Sequence, residues 1–312
     1  MRRLPREKGA LVEAISEDGF AVLNADDPLV MGMARRTGAR VVTFGHSETA
    51  DCRILEVDGG FPDGITVRLS WKNQEFDVPT QFIAHHFSQA VAAAATVGLE
   101  LGVPVEDICK AIGQTEVIPL RLSPHKVPGG PLILADCRKA PQGTLHLAFD
   151  ALRVVDAPRH RIVLGNISDY AGSSGATYRK AVADGLDVAE ELILITKSRS
   201  CTVAAQKADT EGRLRIFGTT REAAEYVART AIEGEAILLK GSGNLHMERI
   251  LLNLTSGVKC WENVCRIGET CFACGLYAHE FEDHARIRRR RGWARFWRGP
   301  KTTPATQSPS AQ

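Results

Sequence analysis

Four of the eight cysteines, Cys260, Cys265, Cys271 and Cys274, crowd into fifteen residues with the spacing C-x4-C-x5-C-x2-C. Thiolates at this density can converge on one ion at about 2.3 Å, and a Cys-x2-Cys turn ending in Gly275 supplies a knuckle. A closed four-sulfur shell has no position for water, so the expected ion is a structural zinc. An iron–sulfur cluster takes the same ligands, and disulfides are the alternative in an oxidising compartment. The cluster is followed by His279, His284 and a run, ARIRRRRGWARFWRG, in which arginines interleave with Trp293, Phe296 and Trp297. Arginine attracts phosphate and tryptophan favours a lipid interface, so Arg286 to Lys301 is a candidate membrane-surface contact. Specific nucleic-acid binding is not expected, because no base-reading module accompanies the charge. A disordered tail is the plain alternative, as TTPATQSPSAQ suggests.

A second set of reactive side chains falls at the ends of apolar runs. PLILAD, HRIVLGN, ELILIT and EAILLKG each read as a buried strand, and helical patterns (GTLHLAFDALRVV, ATYRKAVADGLDVA, TREAAEYVARTAI, NLHMERILLNL) alternate with them. Alternation of this kind predicts an α/β fold with a parallel, doubly wound sheet. Ligands of such sheets lie beyond the carboxyl ends of the strands, here Asp136, Gly165-Asn166, Thr196 and Lys240-Gly241-Ser242. Upstream, a helix over Lys8 to Ile15, two strands (GFAVLN and ARVVTFG), an antiparallel meander between Asp51 and Pro79, and helices over His86–Leu101 and Pro104–Ile112 form a separate block. Prolines and glycines accumulate between Thr115 and Pro131 and mark the boundary. The expected units are 1–118, 119–255, a four-cysteine metal-binding segment over 256–284 and a basic tail over 285–312.

The strand ends resemble those of the Mur ligase family, especially its members that add D-Ala-D-Ala to UDP-MurNAc-tripeptide. LILADCRKAP is similar to D-x-Y-N-A-N-P, RIVLGNISDYAGSSG to V-L-G-D-M-x-E-L-G, and AILLKGSGNLHMERI to V-L-V-K-G-S-R-x-x-x-M-E. EKGALVEAISEDGFAVLNADDP, IAHHFSQAVAAAA and VIPLRL resemble three further family motifs, in the family's order. The resemblance implies a partial central ATP-binding domain followed by a Rossmann-like C-terminal domain, and ATP-dependent amide-bond formation with Mg2+ on a UDP-sugar-peptide-like cell-wall precursor. It further implies that Lys8 carries a carbamate, that His86 and Gln89 stand at the adenine, that Arg121 reaches the nucleotide phosphates, that Asp136 lies near the ribose, and that Asn166, Lys240, Gly241 and Ser242 lie near the incoming substrate. Departures accompany the matches: His86 and Gln89 replace asparagines, Leu120 a glycine, Asn166 an aspartate, Gly243 an arginine, and Arg138-Lys139 a Tyr-Asn pair. Without the resemblance, Lys8 reads as a solvated lysine, Asp136 as a helix cap, Arg121 as a surface charge and His86 as a satisfied interior histidine.

No Gly-Lys dipeptide occurs in the sequence, whereas a P-loop needs one after its glycines. The resemblance therefore implies a chain that begins inside the central domain and that needs a P-loop-bearing portion, such as a partner chain, for catalysis. The rival expectation is a non-catalytic substrate-binding or scaffold protein, and a metal–sulfur redox module is a third. Hydrophobic residues at 44% and charged residues at 24% exclude a wholly disordered or collagen-like chain. The formal charge of +2 conceals a tail of +8 from His284 onward, leaving −6 for the body. Neither an apolar secretion signal nor a membrane span is apparent, so the expected location is cytoplasmic, with membrane association through the tail.

Overall fold

The computed structural model describes residues 3–263, 265 and 270–297, with side chains from Glu7 to Arg290. Its first unit carries α1 (Arg3–Glu13), β1 (Phe20–Asn24), α2 (Pro28–Met31), β2 (Arg40–Gly45), β3 (Cys52–Gly60), β4 (Gly64–Trp71), β5 (Gln74–Pro79), α3 (Ser88–Glu100) and α4 (Val105–Gly113). The five strands form one sheet in the order β1-β2-β3-β4-β5, parallel over the first three and antiparallel over the last three. Alternation along β4 buries Ile65, Val67, Leu69 and Trp71, and the Ala-rich α3 lays Val91, Ala92 and Ala95 on that face. Small alanines let the helix approach the sheet closely.

The second unit carries β6 (Ser123–Lys126), β7 (Leu132–Asp136), α5 (Leu145–Arg153), β8 (His160–Leu164), α6 (Ser174–Leu186), β9 (Glu191–Ile195), α7 (Arg199–Gln206), β10 (Leu214–Phe217), α8 (Thr220–Thr230), β11 (Ala236–Lys240) and α9 (Glu248–Thr255). Its sheet has the order β10-β9-β8-β11-β7-β6, and every pairing but the last is parallel. Most buried residues of both sheet faces are apolar, as for Ala236–Leu239, because helices cover the two sides; Arg161 and Lys240, near the strand ends, are buried with acidic partners. Strand order and helices together give the expected α/β fold, with a Rossmann-like second unit.

Four local differences from the sequence reading have physical causes. Residues 123–126, read as part of a proline-rich boundary, form the antiparallel edge strand β6; an edge strand tolerates Pro124 because only one of its sides is paired. Helix α7 was not anticipated between β9 and β10, since its eight residues carry a weak apolar pattern; Ser198 caps it by accepting the Cys201 amide hydrogen bond. NLHMERILLNL is not one helix, because His246 takes a left-handed conformation (φ 48°, ψ 46°) and α9 starts only at Glu248. Finally, beyond the short α10 (Cys271–Cys274), residues expected to be a disordered tail form α11 (His284–Trp297), started by the buried His284, whose ring Nε2 lies 3.0 Å from the Leu276 carbonyl. Residues 298–312, including Lys301 and the TTPATQSPSAQ stretch, lie outside the described residues, as do the side chains of Trp293, Phe296 and Trp297. Among the described residues no helix is long and apolar enough to cross a membrane.

At the amino ends of β8 and β11 an ion network is buried. Arg161 Nη1 lies 3.3 Å from Glu235 Oε1 and Arg161 Nη2 2.7 Å from Glu191 Oε2, while Arg159 lies 2.5 Å from Glu235; Arg161 and Glu235 are inaccessible to solvent. Removing one partner leaves the other charge without compensation in a low-dielectric interior. Glu235→Ala is expected to destabilise the second unit by about 3–5 kcal/mol, read as a shift of the urea unfolding midpoint, with the double variant Arg161→Met/Glu235→Leu recovering much of that loss.

Candidate functional site

In-register pairing of β7 with β11 sets Asp136 beside Lys240 at the carboxyl ends of two neighbouring strands. Lys240 Nζ donates to Asp136 Oδ2 at 2.6 Å and to the Lys139 carbonyl at 3.3 Å. The pair lines a cavity of about 270 Å3 together with Arg121, Lys139 and Thr144 of the second unit and His86 and Phe87 of the first. Four motifs far apart in the chain therefore meet at one opening between the units.

The backbone that presents Arg121 is unusual. Leu120 and Leu122, on either side of it, both have positive φ (63° and 51°), a region disfavoured for side chains with a γ-branch. Both leucines are fully buried, and Leu120 N–H donates to Ser123 Oγ at 3.0 Å. Burial thus holds a strained turn that leaves the Arg121 side chain outside, facing the cavity. Leu120 stands where the family pattern has a glycine, and its φ of 63° is one that glycine adopts freely.

His86 packs its ring 4.4 Å from that of Phe87. Burial lowers its imidazole below the ordinary histidine value, Asp136 opposes that shift, and Lys240 and His146 reinforce it. Gln89, expected beside His86, serves a different cluster: it accepts from Asn24 Nδ2 at 3.2 Å and donates to Asp26 Oδ2 at 3.0 Å. Asp26 also accepts the amides of His46 and Ser47. Burial raises the Asp26 carboxyl, yet these hydrogen bonds outweigh it and the net shift is downward. Gly45 is needed there, since a Cβ would stand 2.7 Å from the Asp26 carboxylate oxygens. Lys8 is exposed on α1 and does not line the cavity.

The remaining strand-end residues organise the loop after β11. Ser242 donates both its amide and its hydroxyl to the Asn166 carbonyl at 3.0 Å, and Asn166 Nδ2 donates to Asn244 Oδ1 at 3.3 Å. Gly165 and Gly241 allow Met247 between the two loops; a Cβ at either would stand within 2.5 Å of its sulfur. The chain then turns through His246 to Glu248 and Arg249, all buried.

These three residues meet the cysteine-rich segment. Arg249 Nε donates to Cys271 Sγ at 3.2 Å, Nη2 to Cys260 Sγ at 3.8 Å and Nη1 to the Glu262 carbonyl at 2.8 Å. Cys265 Sγ lies 3.3 Å from His246 Nε2, and Glu248 Oε1 accepts the Cys271 amide at 2.9 Å. Among the described residues, His246, Glu248 and Cys271 are the donors whose ligand atoms all lie within 4.8 Å of one another. Cys274 sits at the end of α10 and is half-buried; Gly275 closes that turn with φ 62°. All eight cysteines are free thiols. Burial and the Glu248 charge push the Cys271 thiol up to about 12 against the opposing Arg249. His246, Glu248 and Arg249 were not anticipated beside the cysteines. The only sequence signal is a histidine fourteen residues before Cys260, inside a segment that reads as an ordinary helix.

The comparisons agree with this layout. Residues 1–98 match the family model of the Mur ligase middle domain. UDP-N-acetylmuramoyl-tripeptide--D-alanyl-D-alanine ligase of Mycobacterium bovis is 26% identical over 247 residues, which are 75% of this chain and 48% of that protein. The crystal structure of MurF from Acinetobacter baumannii superposes with a TM-score of 0.70 at 22% identity, over 80% of this chain and 55% of that one, and the MurF ligase of Thermotoga maritima in complex with ADP with 0.67 at 18% identity, over 80% and 56%. The chain spans about half the length of the curated relatives it matches.

The cavity generates a pH prediction. The folded-state value of His86 is depressed, so the unfolded chain binds the extra proton first as pH falls; the contribution to stability is complete above the unfolded value of about 6.5 and is lost below it. His86→Gln is expected to flatten the fall in stability between about pH 7 and pH 5, followed by urea unfolding at each pH, and an unchanged slope would refute it. Residues 1–98 thus match the Mur ligase middle domain, three quarters of the chain is similar in sequence to Mur ligases, and its two-unit fold is that of solved MurF structures.

Proposed function

We propose that this chain contributes to ATP-dependent amide-bond formation on a cell-wall precursor of the UDP-sugar-peptide type. The observation that carries the reading is the convergence of Arg121, Lys139, Lys240, Asp136 and His86 on one cavity between the two units. Three cations and one acid at an opening of this size suit part of a phosphate-bearing ligand. The fit is partial: no Gly-Lys dipeptide is present, so the phosphate cradle has to come from a P-loop-bearing portion or partner chain.

ATP with Mg2+, when bound, supplies the phosphoryl group that activates a carboxylate for attack by an amine. The work of this chain is positioning. Arg121, carried outward by its strained turn, offers a planar fork to phosphate oxygens. Asp136 fixes Lys240, so that the ammonium stays at the cavity wall instead of sweeping solvent. His86 is neutral near pH 7 and can accept or donate one hydrogen bond to a nucleoside group. The loop Gly241-Ser242, tied to Asn166, forms the edge at which an incoming amine would be received. Lys8, exposed on α1, is assigned the carbamate role by resemblance alone.

A cytoplasmic location follows from this chemistry. Arg286, Arg288, Arg289 and Arg290 are exposed on α11 and suit contact with an anionic membrane surface.

A second reading, a substrate-binding or scaffold protein without catalysis, is favoured by the engagement of Gln89 with Asp26 and of Lys240 with Asp136, which leaves fewer side chains for a nucleotide. Calorimetric titration with ATP and Mg2+ of the full chain, alone and mixed with candidate P-loop-bearing chains, separates the two. The ligase reading expects measurable binding that Arg121→Ala weakens about 10- to 100-fold, the loss of a charge-assisted hydrogen bond. Binding of a UDP-MurNAc-peptide without nucleotide affinity would favour the scaffold, and binding of neither would sink both.

A further inference from the structure

The loop after β11 holds a second set of polar groups that the cavity does not use. Glu248 is 1% exposed, and its Oε2 has no hydrogen-bond partner. A buried carboxylate oxygen left bare is costly. Its neighbours are ligand atoms: Oε1 lies 3.4 Å from His246 Nδ1, and Cys271 Sγ lies 3.7 Å from the same nitrogen. Cys265 Sγ approaches the other side of the imidazole at 3.3 Å. His246 adopts its left-handed backbone, unfavourable for a side chain bearing Cβ, in the residue that carries this imidazole. Arg249 donates to two sulfurs, the arrangement by which an outer-shell group steadies metal-bound thiolates.

We propose that His246, Glu248 and Cys271 bind one divalent cation of the zinc class, and that this ion clips the cysteine-rich segment to the loop following β11. A nitrogen, a carboxylate oxygen and a sulfur fill three of the four tetrahedral positions around it. On binding, the Cys271 thiol releases its proton to solvent and the metal–sulfur bond forms; no electron changes hands. One thiolate and one carboxylate neutralise the ion, whereas a four-cysteine shell would keep one net negative charge even with Arg249 beside it, and it would leave Glu248 Oε2 bare. The clip also acts on the neighbouring loop. His246 and Glu248 follow closely on Gly241-Ser242, so an ion held there fixes the loop that meets Asn166. The site stands independently of the ligase reading, because its ligands are not cavity residues.

The test is metal content of the purified full chain after desalting, by mass spectrometry, with Co2+ as a spectroscopic substitute. About one equivalent of zinc is expected. His246→Ala and Cys271→Ser should lose it at least tenfold, Arg249→Met should weaken retention against a chelator about 10- to 100-fold, and Cys274→Ser should retain it. Loss in Cys274→Ser with retention in His246→Ala would overturn the ligand set in favour of the four cysteines. Iron with visible absorbance, or no bound metal in folded wild-type protein, would overturn the proposal outright. If the ligand variants fail to fold by circular dichroism, the Co2+ charge-transfer band of the wild type still decides, since one thiolate gives a much weaker band than four.

Discussion

The pairing of β7 with β11 places an aspartate and a lysine side by side at the end of a parallel sheet, and the rest of the site is arranged around that pair. Neither side chain can leave without stranding the other, since both are largely withdrawn from water and linked at 2.6 Å. The register that joins them also pairs Ala236 with Leu132 at the far end of the same strands, so a slip of one residue would separate the charges and expose the core face together. Hydrophobic burial along the strands and the ion pair at their ends therefore enforce the same alignment.

From this pair the polypeptide runs in two directions that both matter. Backward from Asp136 lies the strained turn around Arg121, held by buried leucines; forward from Lys240 lies the loop that fits Met247 between two glycines and then inverts at His246. The forward path explains why the cysteine-rich segment is attached where it is. Trp261 packs on the apolar layer under α8 and α9, Phe272 stacks on His125 of β6 with ring centroids 6.1 Å apart, and Arg249 reaches into the cysteines from inside the domain. A segment too small to have a core of its own borrows one.

Strand ends and their order were legible because a buried parallel strand has to be a short apolar run closed by polar residues, as LILAD and AILLK are. The kinship was legible because six such punctuation points recur in the same sequence order. The left-handed His246, the edge strand containing Pro124 and the eight-residue helix after β9 were not legible. Each is decided by packing against residues distant in sequence and runs against, or only weakly with, local propensity. Gln89 shows the same limit: its position one turn beyond His86 suggested a shared ligand, but the helix start turns the two side chains toward different neighbours, Asp26 and Phe87.

By itself, then, the amino-acid order determined the alternation of strands and helices, the acidic body beside a basic end, and the cysteine density, all properties carried by neighbouring residues. Only the tertiary structure decided that Asp136 neutralises Lys240, that Arg121 and His86 face the same opening, and that His246, Glu248 and Arg249 stand among the cysteines. Those partners lie up to 104 residues apart, and no local pattern encodes a contact that strand order and sheet register create.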